Sequence, residues 1–165
     1  MKKITLIVFA LAGLMSNAQE AYKGKEDTKL HIGANLQSGG TGLVVGMDYG
    51  LGENISVGFT GNYLLGATEI LGEKPDFKDR VDVRARFNAN LGKVMNLPEQ
   101  IDVYPGLDLG LKNFGAHLGS RYFFSDGFGL QAEVGFPLAR YKSNISEFDY
   151  LNNQFHVNLS AVFNL

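Results

Sequence analysis

The side chains best suited to nucleophilic chemistry are three histidines, His31, His117 and His156, two of which have a serine close by in the sequence. Ser120 follows His117 by three residues, which in an extended strand places the two side chains on opposite faces. Ser160 follows His156 by four residues, about 13 Å along the same face at about 3.3 Å per residue. A serine nucleophile needs its base within hydrogen-bond reach. We therefore expect the histidines to be structural.

The sequence offers no set of residues with the spacing of a metal or cofactor site. It contains no cysteine, which excludes thiolate ligands and disulfides. The glycine-rich run at residues 39–42 lacks the following Lys-Ser/Thr pair and helix of a phosphate-binding loop. We predict no catalytic, metal-ligating or cofactor-binding residues. Acidic residues in or beside two long connections are interpreted as solvated charges, and these are Glu73, Asp76, Asp79, Glu147 and Asp149.

Apolar residues alternate with polar or small residues along most of the chain, with a period of two. The clearest run lies at residues 80–91, where valine, alanine, phenylalanine and leucine alternate with arginine, aspartate and asparagine. This period is typical of β-strands, and no stretch repeats apolar residues at helical spacing over three turns. The pattern predicts an all-β protein with eight antiparallel strands of roughly ten residues joined up-and-down. The predicted strands cover residues 28–38, 42–49, 55–63, 80–91, 101–111, 114–124, 128–138 and 154–165.

Pro105 falls inside the fifth predicted strand. Proline cannot donate a ladder hydrogen bond, and a closed barrel has no edge strand on which to place it. Two explanations stay open at this point: a β-bulge at Pro105–Gly106, or a fifth strand assigned to the wrong residues.

Alternation alone does not say which face of a barrel points inward. A soluble, ligand-carrying barrel of the lipocalin type places the apolar set inside, whereas a membrane barrel places it outside. Here the predicted apolar set carries no charge, and glycines cluster on the polar set, where a narrow lumen needs small residues. The polar set holds five cations and five anions that can pair inside. These ten residues are the predicted lumen network: Lys29, Arg80, Arg84, Arg86, Arg121, Asp48, Asp82, Asp102, Asp108 and Glu133.

These observations favour a barrel with the apolar face outward and a polar, plugged lumen without an open channel, because eight strands enclose just enough space for side chains. The first 18 residues have the build of a secretory signal peptide: two lysines, an apolar run of about 11 residues and small residues before a cut after Ala18. Residues 19–27 are interpreted as a loose polar tail, and residues 28–165 as the barrel. A net charge of -2 gives no basic surface for nucleic acid.

Two segments carry a resemblance to a known family. One is the run Gly119-Ser120-Arg121-Tyr122-Phe123-Phe124-Ser125-Asp126-Gly127-Phe128-Gly129-Leu130, and the other is the C-terminal strand Asn158 to Leu165. On these segments the chain resembles the small outer-membrane β-barrel proteins of Gram-negative bacteria, of the OmpX and OmpA transmembrane-domain type. It departs from their C-terminal pattern at Ser160, where glycine is usual, and at Leu165, where an aromatic residue is usual.

The resemblance implies a monomer in the outer membrane, in contact with lipid and lipopolysaccharide and with both termini in the periplasm. It further implies that the barrel-insertion machinery reads Asn158 to Leu165, and that residues 65–78 and 140–153 form the main surface loops. In an outer membrane, the carboxylates of these loops have an alternative to being solvated charges: they would bind divalent cations that bridge lipopolysaccharide molecules.

Three classes of function follow. The leading one is a structural or surface-interaction barrel without catalytic activity. The second is a soluble periplasmic barrel of the lipocalin type that binds an apolar ligand. The third is a membrane-embedded lipid-modifying enzyme, which requires an acid, a histidine and a serine close together near one rim.

Overall fold

Eight antiparallel strands close into a barrel in the computed structural model, which describes residues 20–70, 72–141 and 148–165. Each strand pairs with its neighbours in sequence, and the last strand returns to pair with the first. The all-β, up-and-down prediction is therefore confirmed. The predicted signal peptide lies outside the described residues. The strands are β1 Thr28–Gln37, β2 Gly40–Gly50, β3 Ile55–Ala67, β4 Val81–Ala89, β5 Ile101–Gly110, β6 Asn113–Ser125, β7 Phe128–Arg140 and β8 His156–Asn164.

A single helical turn, α1 (Phe77–Arg80), precedes β4. The backbone N–H of Asp76 donates to Asp79 Oδ2 at 3.2 Å, so a side chain of the first turn satisfies a donor just before the helix. No helix in the described ranges is long and apolar enough to cross a membrane.

The two faces of the barrel wall differ in polarity as the alternation predicted. Large apolar side chains point outward on every strand; Phe59 is 53% exposed and Leu130 is 52% exposed. The inward positions carry charged, amide and hydroxyl side chains that are almost fully buried. The side-chain period of two in a β-strand produces this separation, because consecutive residues alternate between the faces.

Pro105 lies within β5, as the sequence placed it, and neither of the two proposed explanations holds. The β4–β5 ladder stops at the pair Asn88 and Gly106, and a hydrogen bond from the Leu91 N–H to the Val103 carbonyl (2.9 Å) resumes it in the same register. The ladder therefore skips Pro105, where no N–H exists, without inserting an extra residue. Pairing with β6 continues through this position.

One end of the barrel, here called the terminal end, is where β1 begins and β8 ends. Residues 20–27, the N-terminal segment, pack across it. Ala21 is fully buried against Phe123 and Val162, and its N–H donates to the Glu99 carbonyl at 2.6 Å. The prediction of a loose tail is wrong, because the segment contributes an apolar plug and backbone hydrogen bonds to the barrel.

Tyr22 is the second anchor of this segment. It is only 5% exposed, and its hydroxyl lies within hydrogen-bond distance of the carbonyls of Gly52 (2.8 Å) in the β2–β3 turn and Ile55 (2.6 Å) at the start of β3. Burial, followed by the nearby Asp27 carboxylate, raises the pKa of Tyr22 to about 12. The phenol therefore stays protonated and can keep donating to these carbonyls.

The opposite end of the barrel, the loop end, is closed by the segment that precedes β8. Leu151 and Phe148 are buried against Leu64 of β3. Residues 148–153 therefore pack into the mouth of the barrel, so this part of the predicted surface loop 140–153 is internal.

Lys112, in the β5–β6 turn, also lies at the loop end. Its Nζ donates to the Asp79 carbonyl at 2.7 Å, and burial lowers the pKa of this amine.

Candidate functional site: the polar interior of the barrel

The structure places nine of the ten predicted network residues on the inner face, each buried. They are Lys29, Asp48, Asp82, Arg84, Arg86, Asp102, Asp108, Arg121 and Glu133. Each stands on a strand with outward-facing apolar neighbours, so the strand period delivers its side chain to the lumen.

Arg80 does not belong to the network, and its assignment to the lumen is wrong. It is the last residue of α1, and its Nη2 donates to the Leu65 carbonyl at 2.5 Å. Its guanidinium lies 5.4 Å from the ring centroid of Tyr63. Because β4 begins only at Val81, the alternation that orients Asp82 and Arg84 does not extend to Arg80.

Two arginines and two carboxylates form the centre of the network. Arg86 lies between the carboxylates, with Nε 3.3 Å from Asp48 Oδ1 and Nη2 2.5 Å from Glu133 Oε2. Arg121 donates from Nη2 to Asp48 Oδ2 at 3.1 Å. Tyr104 packs under both arginines, and its hydroxyl donates to Glu133 Oε2 at 3.3 Å. Each buried charge thus meets an opposite charge, which offsets its desolvation.

Smaller ion pairs lie at each end of the lumen. Towards the loop end, Arg84 donates from Nε to Asp82 Oδ2 at 2.6 Å and from Nη2 to the Asn152 carbonyl at 2.9 Å. At the terminal end, Lys29 donates from Nζ to Asp27 Oδ1 at 2.5 Å. Sequence analysis missed Asp27, which precedes β1. The Asp27 carbonyl accepts the Gly50 N–H at 2.7 Å, so the pairing with β2 extends to this residue and its side chain lies on the same face as Lys29.

The buried charges are not balanced, in contrast to the predicted five against five. Removing Arg80 leaves four cations, and adding the buried Asp27 and Asp79 to the five predicted anions gives seven carboxylates among the described residues. With neutral histidines, the buried set carries three more negative than positive charges.

Two of the three histidines, His117 and His156, contact arginine, asparagine, aspartate or backbone groups in the part of the chain that the structure describes, whereas His31 Nδ1 has no hydrogen-bond partner there. His117 Nδ1 lies 2.9 Å from Asp108 Oδ2, and its Nε2 lies 2.8 Å from Asn88 Oδ1. His156 Nε2 lies 3.0 Å from Arg84 Nη1. These contacts support a structural role for both rings.

The two serines that follow histidines in the sequence do not complete a catalytic pair with them. Ser120 is exposed on the outside of β6, opposite to His117. Ser160 points inward on β8, but its hydroxyl has no hydrogen-bond partner among the described residues. In the described ranges, no group of three or more His, Cys, Asp or Glu side chains is arranged to hold a metal ion.

Comparison with known proteins gives a family and a fold. Over residues 11–165 the sequence matches the family described as "Family of unknown function (DUF6646)". The chain belongs to this family. No curated protein matches the sequence. Among solved structures, the chain is similar to the N-terminal β-barrel domain of OprF from Pseudomonas aeruginosa, with a TM-score of 0.58 and 9% sequence identity over 87% of this chain and 100% of that domain. At this identity the similarity is one of fold.

Proposed function

We propose that this protein is an outer-membrane β-barrel with a structural or surface-interaction role and a closed lumen. The observation that carries the proposal is the outward apolar face of a closed barrel. Apolar patches of this extent on a protein surface mark contact with a membrane or a partner. A closed barrel satisfies all strand hydrogen bonds internally, which a bilayer core requires.

The strands are long enough for this role. They contain 9 to 13 residues, and a tilted strand of about 9–11 residues crosses a bilayer. The outward side chains of one strand illustrate the belt, since Val83 and Phe87 of β4 are 46% and 44% exposed. The similarity to the OprF barrel domain adds support from the fold.

A lipocalin-like carrier of apolar ligands is not favoured. Such a carrier needs an apolar cavity inside the barrel. Here the interior is occupied by charged and aromatic side chains, including Arg121, Tyr104 and Lys29, which are at most 1% exposed.

A lipid-modifying enzyme is also not favoured by the contacts of the histidines, since the hydrogen bonds described for His117 and His156 involve no serine hydroxyl. The absence of catalytic activity stays a prediction. It is tested by incubating the purified, folded barrel with lipopolysaccharide and phospholipid and following released or transferred acyl chains by mass spectrometry.

In this proposal the terminal end faces the periplasm and the loop end faces outward. The protein is exported with cleavage after Ala18, belongs to a Gram-negative bacterium and contacts lipid and lipopolysaccharide as a monomer. The barrel-insertion machinery recognises Asn158 to Leu165. The proposal also includes a relationship to the OmpX and OmpA transmembrane-domain type of barrel.

Cell fractionation tests the location. We expect the chain in the outer-membrane pellet after carbonate washing, with migration in detergent gels that changes on boiling. Its mass should correspond to a chain that begins at Gln19. Recovery in the soluble periplasmic fraction would overturn the proposal, and a full-length mass would overturn only the cleavage site.

A further inference from the structure

A cleft opens to solvent at the loop end of the barrel, beside the segment 148–153 that closes the mouth. Its volume is about 360 Å³, near the lower end of the range for small-molecule sites. Four separate parts of the chain line it: α1, the β5–β6 turn, the residue that follows β7, and the segment 148–153. In the proposed orientation this end of the barrel faces the cell exterior.

Hydrogen bonds hold the walls of the cleft in place relative to one another. Lys112 Nζ donates to the carbonyls of Asp79 (2.7 Å) and Leu151 (3.3 Å), so the β5–β6 turn is fastened both to α1 and to the closing segment. The Tyr141 N–H donates to the Lys112 carbonyl at 3.1 Å. The cleft is therefore formed before any ligand arrives, which lowers the entropic cost of binding.

Two almost fully buried side chains line the cleft and keep hydrogen-bonding capacity. Asp79 is 8% exposed; its Oδ2 accepts the Asp76 N–H at 3.2 Å, and its Oδ1 has no hydrogen-bond partner among the described residues. Asn153 is 7% exposed; its Oδ1 accepts from Asn113 Nδ2 at 3.1 Å, and its Nδ2 has no partner in the same ranges. Neither atom is completely shielded from solvent. A ligand in the cleft can therefore meet one acceptor and one donor.

The charges around the cleft are equal in number. Lys78 and Lys112 contribute two cations, and Asp79 and Asp149 contribute two anions. A free ion would meet as many like charges as opposite charges, so the cleft favours a neutral ligand. Hydroxyl groups suit this mixed lining, because a single hydroxyl can donate to a carboxylate and accept from an amide or an ammonium group.

Two exposed side chains add apolar surface at the rim of the cleft. Tyr141 is 43% exposed and Leu111 is 68% exposed. A tyrosine ring can cover an apolar surface while its hydroxyl group forms a hydrogen bond. A sugar ring matches this combination, since it carries C–H groups on its faces and hydroxyl groups around its edge.

We propose that this cleft binds a neutral saccharide of one or two rings. Tyr141 and Leu111 contact the C–H face of a ring. Asp79 accepts from the sugar hydroxyl groups, and Asn153 and Lys78 donate to them. The proposal deepens the surface-interaction role and rests on it for the side of the membrane that the cleft faces. Two sources share this chemistry: sugars of the lipopolysaccharide in the same membrane, and free saccharides outside the cell.

Saturation-transfer NMR tests the binding on the folded barrel, in a detergent without a sugar headgroup. The probes are glucose, galactose, rhamnose and N-acetylglucosamine. We expect at least one of them to bind with a dissociation constant of a few millimolar, the usual affinity of a ligand with about a dozen non-hydrogen atoms. No transfer to any probe at ten times this concentration would overturn the proposal. Displacement of the sugar by inorganic phosphate or CaCl₂ would overturn the assignment to a neutral ligand.

Variants of the lining locate the bound sugar. Asp79→Asn should weaken binding by about tenfold or more, because it removes a charged acceptor, and Tyr141→Ala should weaken it similarly by removing the ring. The matched controls lie at the terminal end: Glu53→Gln changes an exposed carboxylate, and Tyr49→Ala removes a ring that is also 43% exposed. Both controls should bind as wild type does. Undiminished binding in Tyr141→Ala, an exposed position at which the fold should persist, would overturn the proposal.

Reconstitution in lipid vesicles distinguishes the two sources. A probe that binds more weakly in vesicles of phosphatidylethanolamine with lipopolysaccharide than in vesicles without it identifies lipopolysaccharide sugars as the occupant. Equal binding in both identifies free saccharides. All these measurements use the folded barrel, so sugar binding can hold when cell fractionation contradicts the membrane location, and the membrane location can hold when no sugar binds.

Discussion

The phenol ring of Tyr104 lies directly over Gly119, its cross-strand partner in the β5–β6 ladder. A methyl group at residue 119 would come within 2.2 Å of the Tyr104 ring carbon Cζ. The absence of a side chain at Gly119 therefore gives the ring its place against the wall, where it supports Arg86 and Arg121.

The same relationship recurs with the histidines. Each of the three rings lies over a glycine that is its direct cross-strand partner, and a methyl group there would come within 2.2–2.5 Å of a ring atom. The pairs are His31 with Gly46, His117 with Gly106, and His156 with Gly135. These glycines of the polar face thus leave space for ring side chains in a narrow lumen.

Gly119→Ala should destabilise the barrel by about 1–3 kcal/mol, the usual cost of overpacking a filled interior. Chemical unfolding of the barrel in lipid vesicles measures it. In a Tyr104→Ala background the same substitution should cost much less, because its close contacts are with the Tyr104 ring. Equal costs in both backgrounds would contradict the ring-over-glycine account.

Gly61→Ala is the matched control for this prediction. Gly61 also lies within a strand, but the nearest atom to an added methyl group is 4.0 Å away. We expect a change within about 0.5 kcal/mol. A comparable loss of stability at both positions would mean that these strands need glycine for its backbone conformation and that the Tyr104 ring is not the reason.

The barrel wall could be predicted from the sequence because the alternation of apolar and polar residues that defines it lies within each strand. A period of two sets both the strands and their faces, so residues such as Asp82 and Arg86 could be placed inside before any contact was known. Pro105 could be assigned to its strand for the same reason, although the register-preserving gap that accommodates it depends on the partner strand β4.

The packing of the segments that cover the two ends of the barrel could not be predicted in this way, because it depends on contacts between residues that are distant in the sequence. Tyr22 is anchored by carbonyls about thirty residues away, and Leu151 packs against Leu64. Arg80 was misplaced because its orientation depends on where α1 ends, which the alternating pattern does not mark. Asp27 was missed because the strand pattern was not extended into the N-terminal segment.

Arg86→Met should destabilise the barrel by about 3–5 kcal/mol, because it leaves Asp48 and Glu133 with less compensation inside the lumen. Adding Glu133→Gln should recover part of that loss, since the double variant removes both charges of one pair. Unfolding in urea, read by the loss of heat-modifiable migration, measures each step.

The control for the Arg86 prediction is an exposed ion pair. Lys74 lies 3.2 Å from Glu69, with side chains 78% and 51% exposed. Lys74→Met should change the free energy of unfolding by about 0.5 kcal/mol or less. If Arg86→Met cost no more than this, the central network would not contribute to stability.

Deprotonation of the Tyr22 phenol should make the barrel less stable at high pH. Its pKa is raised from 10.0 to about 12 in the fold, so above pH 10 the unfolded chain loses this proton more readily than the folded one. The stabilisation is complete below pH 10 and is lost as the pH rises through 12. Unfolding at pH 8 and pH 11 should show a smaller alkaline loss for Tyr22→Phe than for wild type. Tyr141→Phe, at a tyrosine that is 43% exposed, should keep the wild-type loss.

Val83→Arg tests the direction of the apolar face. Val83 is outward-facing on β4 and 46% exposed. An arginine on the lipid-facing side costs about 2–4 kcal/mol near the bilayer midplane. Val94→Arg makes the same change in the β4–β5 connection, where Val94 is 59% exposed and the proposed orientation places it in water, so its effect should be small. Both free energies are measured by unfolding from lipid vesicles. If the two variants behaved alike, with near-neutral effects, Val83 would face water and the barrel wall would not face lipid.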